Sequence, residues 1–156
     1  MTMKTIDLEA LERLSASARS SLRLRMNSNL HAMNDATHRL LNATEPGTYV
    51  RPHRHASPPK EETLLVLRGR GLILVFDDGG EVIEHALLSR SGPCLVAEIP
   101  PGSWHTLIAL EHGTVWFEVK QGPYVAPLPA DCAAWAPAPD SPLASKYLER
   151  LAARFT

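Results

Sequence analysis

The sequence predicts an all-β fold, either a β-sandwich or a small barrel, with a short helix at each end. Three observations predict it. Short apolar segments recur at regular spacing along the middle of the chain, turn residues separate them, and thirteen prolines stand against few aromatic residues. The length of 156 residues suits a single domain that buries its own core.

A short helix is predicted near the start of the chain. Four apolar residues follow roughly helical spacing, namely Leu8, Leu11, Leu14 and Ala18. Asp7 or Thr5 is suited to cap the first turn, because a short polar side chain accepts a hydrogen bond from the free backbone N–H groups there. Residues 27–35 are polar, and we expect them to be irregular.

The strands are predicted from apolar segments that end at turn residues. The expected strands are 38–43, 48–55, 63–68, 72–76, 81–87, 94–99, 104–110 and 114–120. The expected turns or loops are 45–47, 56–60, 69–71, 77–80 and 100–102, all rich in Gly, Pro or Asp. Segments 63–68 and 72–76 are apolar on both faces, which indicates strands that are buried from both sides.

The last part of the chain is predicted to wrap the surface and then form a helix. Residues 125–141 are rich in Pro and Ala, Ser141 is suited to cap a helix, and Pro142 to begin it. The expected apolar stripe of this helix is Leu143, Tyr147, Leu151 and Phe155. We therefore expect one domain over residues 1–156, divided into an N-terminal helix and arm (1–36), a barrel (37–124) and a C-terminal wrap and helix (125–156).

Charge and composition exclude several function classes. The formal net charge is −1, so the chain lacks the basic footprint of a nucleic-acid-binding protein and the polybasic patch that binds an anionic membrane. Residues 1–12 carry three acidic side chains and no long apolar run, which is not typical of a signal peptide. Cys94 and Cys132 form no CxxC pattern, and a reduced cytoplasmic protein is the simplest interpretation, with a single disulfide as the alternative.

Two histidines, His53 and His55, lie one residue apart on a predicted strand. Alternate residues of a strand point to the same face, so the two rings share a face with Tyr49 and Arg51. Glu62 begins the next strand, and His105 enters a later one after a tight turn. A third imidazole and a carboxylate beside this pair would complete a metal site.

These residues fit two motifs of the cupin superfamily, which the chain resembles. The first motif is matched by Gly47, His53, His55, Glu62 and Gly69, with a spacer before the carboxylate that is two residues longer than usual. Glu61 is therefore a rival for Glu62, although only Glu62 keeps the usual distance to Gly69. The second motif is matched by Pro100, Gly102 and His105, while Cys94 and Ala109 replace a usual Gly and Asn that are not ligands.

Further blocks of sequence resemble the WbuC family of cupin-fold metalloproteins. The blocks are residues 25–31, 46–55, 76–78, 104–105, 117–124 and 135–137, and the resemblance covers roughly residues 20–137. It implies a cupin barrel, which is a double-stranded β-helix or jelly roll, with metal ligands at His53, His55, Glu62 and His105. The family has no settled reaction, and its members are often found near surface-polysaccharide genes.

The ligand set indicates one divalent transition metal, with Fe, Ni, Zn and Mn as candidates. Neutral imidazole suits these ions, and a single carboxylate adds a hard anionic donor. Four protein ligands on an octahedral ion leave two positions open, whereas the same four would close a tetrahedral zinc site and make it structural.

Several other residues are candidates for the reaction or for binding a small anionic molecule. Tyr49 and Glu118 are candidates for proton transfer. Arg51 and Lys120 are candidates for anion binding; alternatively, Arg51 supports the fold through an ion pair, and Glu118 and Lys120 are either paired inside the cavity or solvated.

The N-terminal arm provides a further set of candidates. Asn27, Asn29 and His31 alternate like residues of one strand face, and either close over the site, in their own subunit or in a partner of a homodimer, or belong to a capped loop.

Two function classes remain open. One is an enzyme acting on a small anionic molecule, and the other is a non-catalytic binding or sensing module. A metal-free sugar-nucleotide epimerase is a weaker alternative, because it would use a His–Asp or His–Tyr pair without a full ligand set.

Overall fold

The computed structural model describes residues 3–155, so residues 1, 2 and 156 of the predicted domain lie outside the described range. Its helices are α1 (Leu8–Arg19) and α2 (Ala144–Phe155), with a single 3-10 turn at Pro129–Asp131. Its strands are β1 (Arg25–Asn29), β2 (Thr37–Thr44), β3 (Glu62–Arg68), β4 (Arg70–Phe76), β5 (Val82–Ser89), β6 (Val96–Ile99), β7 (Trp104–Ala109) and β8 (Thr114–Gln121).

The strands form two antiparallel sheets. The five-stranded sheet has the order β1-β2-β8-β3-β6, and the three-stranded sheet has the order β5-β4-β7. In the larger sheet Leu40 pairs with Glu118 and Glu118 with Leu64, which places these three side chains on the same face. This face looks toward the smaller sheet and carries the core and the site.

The core fills the space between the two sheets. Its fully packed members are Leu64, Val66, Ile73, Leu88, Ile99, Leu107 and Trp116. Gly71 lies directly against the Trp116 ring, and a Cβ atom at this position would overlap it. Gly69 has φ +78°, the left-handed conformation that lets the chain leave β3 and enter β4 in the other sheet.

Helix α1 covers the outer face of the five-stranded sheet. Asp7 caps it by accepting a hydrogen bond of 2.8 Å from Ala10 N, as predicted. Leu11 and Ala18 are buried against Leu41 and Val115 of the sheet. Apolar burial on one face thus fixes this helix, and the predicted helical spacing is confirmed.

Helix α2 covers the three-stranded sheet with most of the predicted stripe: Leu151 is buried there, and Tyr147 and Phe155 are partly buried against the same cluster, whereas Leu143 is replaced by Leu148. Leu148 and Leu151 are buried against Leu72 and other residues of β4 and β7, whereas Leu143 is 62% exposed. The helix begins at Ala144, so Leu143 precedes its first turn and does not face the sheet.

Two predicted elements are corrected. Residues 48–55 are extended but form no ladder; His53 makes only isolated bridges, because Pro52 has no N–H and neighbouring residues bond to different partners. Arg25–Asn29 is a strand, whereas residues 27–35 were expected to be irregular. Its backbone pairs with β2, and this pairing overrides the low strand propensity of its polar residues.

Neither helix within residues 3–155 is long and apolar enough to cross a membrane.

Candidate metal centre

The segment that carries His53 and His55 lies between β7 and the C-terminal wrap. His53 and His105 exchange two backbone hydrogen bonds, of 3.0 and 2.8 Å. On the other side, Arg54 N donates to Asp131 O at 3.0 Å and Ala133 N donates to Pro52 O at 2.9 Å. The segment is therefore fixed from both sides although it belongs to no regular strand.

Four potential ligand atoms converge from the two sheets and from the segment that carries His53 and His55. One atom each from His53, His55, Glu62 and His105 lies within 4.8 Å of all the others. His55 Nε2 is 2.9 Å from Glu62 Oε2, and His105 Nε2 is 3.3 Å from the same oxygen. Glu61 is not part of this cluster: its side chain is exposed and accepts a hydrogen bond from Gln121.

Backbone carbonyls orient two of the three rings. The Nδ1–H of His53 donates to Arg51 O at 3.1 Å, and the Nδ1–H of His105 donates to Ser103 O at 2.9 Å. A carbonyl can only accept, so each contact places the proton on Nδ1 and leaves the Nε2 lone pair free for a metal. His105 Nε2 is buried and has no hydrogen bond of acceptable geometry, which is costly unless something else occupies its lone pair.

The protonation states also suit a metal. Burial and the neighbouring His105 ring lower the pKa of His53 to about 3, so the imidazole is neutral near pH 7. Burial by itself would raise the pKa of Glu62, but the His105 and His55 rings and the Lys120 ammonium group hold it well below its usual range. Neutral imidazoles and an ionised carboxylate are the forms that bind divalent transition metals, so the residues present fit such an ion.

A second carboxyl group lies beside the cluster. Glu118 is buried on β8, and Lys120 Nζ lies 2.5 Å from its Oε1 and 3.9 Å from Glu62 Oε1. Burial and the charge of Glu62 raise the pKa of Glu118 to about 7, against the opposing effect of Lys120. Glu118 and Lys120 are thus paired inside the molecule rather than solvated.

The cluster opens into a cavity of about 510 Å³ between the sheets. Its lining includes two carboxylates, Glu62 and Glu118, and four cations, Lys120, Arg51, Arg23 and Arg25. Both carboxylates lie beside Lys120, so positive charge exceeds negative charge in the rest of the cavity. An anion is the ligand that this field favours.

Tyr49 and Arg51 line the cavity, but their polar atoms bond to the C-terminal wrap. The Tyr49 hydroxyl donates to Pro137 O at 2.8 Å, and burial raises its pKa to about 12. Arg51 donates from Nε and Nη2 to Ala133 O, at 3.0 and 2.7 Å, and not to a carboxylate. The alternative for Arg51, an ion pair that supports the fold, is therefore replaced by contacts of its guanidinium to a carbonyl.

The three candidates of the N-terminal arm separate. Asn27 lines the cavity, whereas Asn29 and His31 are not among the lining residues. Asn29 contacts Met33, and His31 stacks on His38 with ring centroids 3.9 Å apart.

Several cavity residues were missed from the sequence, among them two arginines and an asparagine. Arg23, Arg25 and Asn42 line the cavity together with Asn27. For the two arginines the sequence signal was their alternation with Asn27. Such an alternation places side chains on one face only if the segment is a strand, and no strand was predicted there.

Solved structures of cupin proteins share the fold. A cupin 2 domain-containing protein from Halorhodospira halophila has a TM-score of 0.53 and 18% identity, over 85% of this chain and 83% of that one. The protein TT1209 from Thermus thermophilus has a TM-score of 0.54 and 22% identity, over 76% and 97% of the two chains.

A cupin superfamily protein from Desulfitobacterium hafniense has a TM-score of 0.52 and 14% identity, over 69% and 86% of the two chains. These similarities confirm the predicted all-β cupin fold with short terminal helices. None of the curated proteins matches the sequence.

One family model matches residues 6–88, which is more than half of the chain. The matched part contains His53, His55 and Glu62 but ends before His105. The chain belongs to the family described as Domain of unknown function (DUF6016).

Proposed function

We propose that this chain is a single-domain metalloprotein that binds one divalent transition metal and holds a small anionic molecule in the adjoining cavity. The metal ligands are His53, His55, Glu62 and His105. The observation that supports the proposal best is the unpartnered Nε2 of His105, a residue only 2% exposed, beside three other potential ligand atoms. A buried nitrogen lone pair without a hydrogen-bond partner is typical of a histidine that binds a metal.

When bound by His53, His55, Glu62 and His105, the metal would supply Lewis acidity to a molecule in the adjoining cavity. The chain supplies the surroundings. Glu118 holds or releases a proton near pH 7 at the edge of the ligand cluster, and Lys120 stabilises its charged form. Glu62, Glu118 and His105 are buried, so this part of the site is largely shielded from solvent.

An enzyme and a binding module differ in whether a proton-transfer group acts on the bound molecule. The Tyr49 hydroxyl is engaged with Pro137 O, so Glu118 is the better of the two proposed proton-transfer residues. Turnover that is lost in Glu118→Gln while binding persists would identify an enzyme. Binding without turnover would identify a sensing or storage module.

The geometry disfavours a metal-free epimerase. Such an enzyme would use a His–Asp or His–Tyr pair as acid and base, but Tyr49 donates to a carbonyl and the three clustered histidines surround a carboxylate from Glu62.

The wider context is also part of the proposal. The sequence blocks that resemble the WbuC family support a cytoplasmic protein linked to surface-polysaccharide metabolism. A homodimer is supported by an apolar groove on the outer face of the five-stranded sheet, where Leu8, Leu95 and Val96 are mostly exposed.

Metal analysis tests the ligand set. Protein purified without added metal is expected to hold about one transition metal ion per chain. The double variant His53→Ala, His105→Ala should lose at least about tenfold in occupancy, because half of the protein ligands are gone. His85→Ala is the matched control, since His85 is exposed and contacts Phe155 rather than the cluster.

Full occupancy in the double variant would contradict the proposal, provided that circular dichroism shows a folded protein. An anomalous-scattering crystal structure of the wild-type protein would then identify the ion and its coordination number.

A further inference from the structure

Two arginines at the β1 end of the cavity form no ion pair with a carboxylate of the described residues. Arg23 precedes β1 and Arg25 begins it, and both line the cavity. Within residues 3–155 neither guanidinium forms an ion pair with a carboxylate, although Arg19, Arg39, Arg54 and Arg68 all do. Two cations without a carboxylate partner thus line the cavity, Arg23 exposed and Arg25 half-buried.

The arrangement is unfavourable in the absence of an anion. Arg25 is half-buried, and burial together with the positive charge of Arg23 lowers its pKa. An arginine keeps its charge at any physiological pH, so the repulsion and the lost hydration persist. A bound oxyanion would remove both costs, because guanidinium groups bind phosphate or carboxylate oxygens through paired hydrogen bonds.

The backbone between the two arginines is held in an uncommon conformation. Leu24 has φ +54°, the left-handed region that non-glycine residues rarely adopt. Its carbonyl accepts hydrogen bonds from Thr48 Oγ1 at 2.6 Å and from Glu45 N at 3.0 Å. These contacts fix the turn that precedes β1 and thereby the position of both arginines.

The arginines lie well apart from the metal ligands. Arg25 pairs with Thr44 and Thr44 with Thr114, whereas Glu62 pairs with Lys120. Thr114 and Lys120 are separated by about 20 Å along β8, at roughly 3.4 Å per residue. Asn42 lies between these registers and lines the cavity, and its Oδ1 atom is buried without a hydrogen-bond partner.

We propose that Arg23 and Arg25 form an anion-binding subsite for the phosphate or carboxylate group of an elongated ligand, whose other end reaches the metal centre. The middle of such a ligand carries hydrogen-bond donors such as hydroxyl groups, which suit the free oxygen of Asn42. The ligand class is therefore a hydroxylated acid or phosphate ester. The inference deepens the proposed function. It depends on that function only for the end of the ligand that reaches the metal centre.

A titration of the metal-free protein tests the subsite separately from the metal. Inorganic phosphate is added to EDTA-treated full-length protein, and the dissociation constant is read from the phosphorus NMR shift. We expect saturable binding that weakens at least about tenfold in Arg23→Gln, Arg25→Gln, because each arginine contributes a charge-assisted contact. The His53→Ala, His105→Ala variant should bind phosphate as wild type does.

Arg90→Gln is the matched control. Arg90 is exposed, lines the groove on the opposite side of the sheet, and forms no ion pair within the described residues. Its substitution should leave phosphate affinity unchanged, which would separate a subsite from a general loss of charge. Thermal unfolding of every variant checks that the fold is retained.

Four outcomes would overturn the inference. They are no binding to the wild type, equal affinity in the double arginine variant, an equal loss in Arg90→Gln, and binding that requires added metal. A change in sedimentation of the double arginine variant with unchanged phosphate affinity would instead assign the arginines to a subunit interface. If metal analysis fails but phosphate binding depends on both arginines, the subsite stands and the metal proposal falls.

Discussion

Each of two ligand histidines is oriented by its own backbone. His53 bonds through Nδ1 to the carbonyl of Arg51, and His105 bonds to that of Ser103, in both cases two residues earlier in the chain. A local contact of this kind fixes the ring without help from distant side chains. Nε2 is therefore directed to the cluster wherever the two segments are brought together.

Glu118 is expected to make the stability of the metal-free protein depend on pH. Its pKa is about 7 in the folded protein, against an ordinary value of 4.5. Between these values the folded state holds a proton that the unfolded state has lost, so the free energy of unfolding falls as pH rises. In Glu118→Gln the free energy of unfolding should fall less steeply with pH than in wild type, by up to about 1.4 kcal/mol per pH unit.

Urea denaturation of EDTA-treated protein from about pH 5 to about 7 measures the slope. Glu98→Gln, an exposed substitution on β6, should leave it unchanged. His53 has the opposite effect: because its pKa is lowered, the free energy of unfolding falls as pH falls below 6.5. This contribution is present in wild type and in Glu118→Gln, so the comparison of the two slopes removes it. Identical slopes for wild type and Glu118→Gln would show that the pKa of Glu118 is not raised in the folded protein.

Among the elements, the C-terminal wrap and α2 have different tasks. The wrap accepts hydrogen bonds from Tyr49 and Arg51 and thereby holds the histidine segment against β7. Helix α2 instead covers the outer face of the three-stranded sheet, where Leu148 and Leu151 contact the apolar side chains of β4 and β7. The site thus depends on the wrap directly and on the helix only through stability.

Two leucines of the C-terminal region should differ sharply in their contribution to stability. Leu148→Ala leaves a cavity under α2 and is expected to lower the free energy of unfolding by about 2–5 kcal/mol. Leu143→Ala is the control and should change it by less than about 0.5 kcal/mol, because Leu143 is mostly exposed. Chemical denaturation measures both values, and equal costs would contradict the packing of Leu148, rather than Leu143, against the sheet.

For the whole molecule, the candidate metal centre connects the two sheets. Glu62 belongs to the five-stranded sheet, His105 to the three-stranded sheet, and His53 to the segment beside it. Coordination by all of them would therefore stabilise the folded arrangement against separation of the sheets. A ligand set assembled only in the folded state couples metal binding to folding.

Metal addition is expected to raise the melting temperature of EDTA-treated protein. A free metal concentration about 100-fold above Kd adds about 2.7 kcal/mol, which corresponds to a rise of roughly 5–10 °C for a chain of this length. Differential scanning fluorimetry with Mn²⁺, Fe²⁺, Ni²⁺ and Zn²⁺ in turn measures the rise and ranks the ions. An unchanged melting temperature with every ion would contradict coupling between the site and the fold.

The four clustered residues could be predicted because they fit the two cupin motifs that the chain resembles. His53 and His55 are one residue apart, Glu62 keeps its distance to Gly69, and His105 follows a Pro-Gly turn. The spacings identified the cluster even where the predicted secondary structure was wrong. Residues 48–55 form no regular strand, yet both histidines reach the cluster. Extended backbone alone is enough to bring alternate side chains to one side.

The rest of the cavity could not be predicted from local signals. The polar residues of β1 have low strand propensity, and only pairing with β2 makes them a strand. Arg23 and Arg25 therefore had no assigned face, and the contact of Arg51 with Ala133 O could not be predicted because the two residues are far apart in sequence.

By itself the sequence determined the all-β class and the capped first helix, since these depend on period and capping chemistry, and its resemblance to the cupin motifs implied the four clustered residues. Only the tertiary structure decided which charges are compensated. Lys120 is paired with carboxylates, whereas Arg23 and Arg25 are not, and this difference depends on contacts between residues that are distant in the chain. The net field of the cavity is a sum over such contacts, and no local pattern carries it.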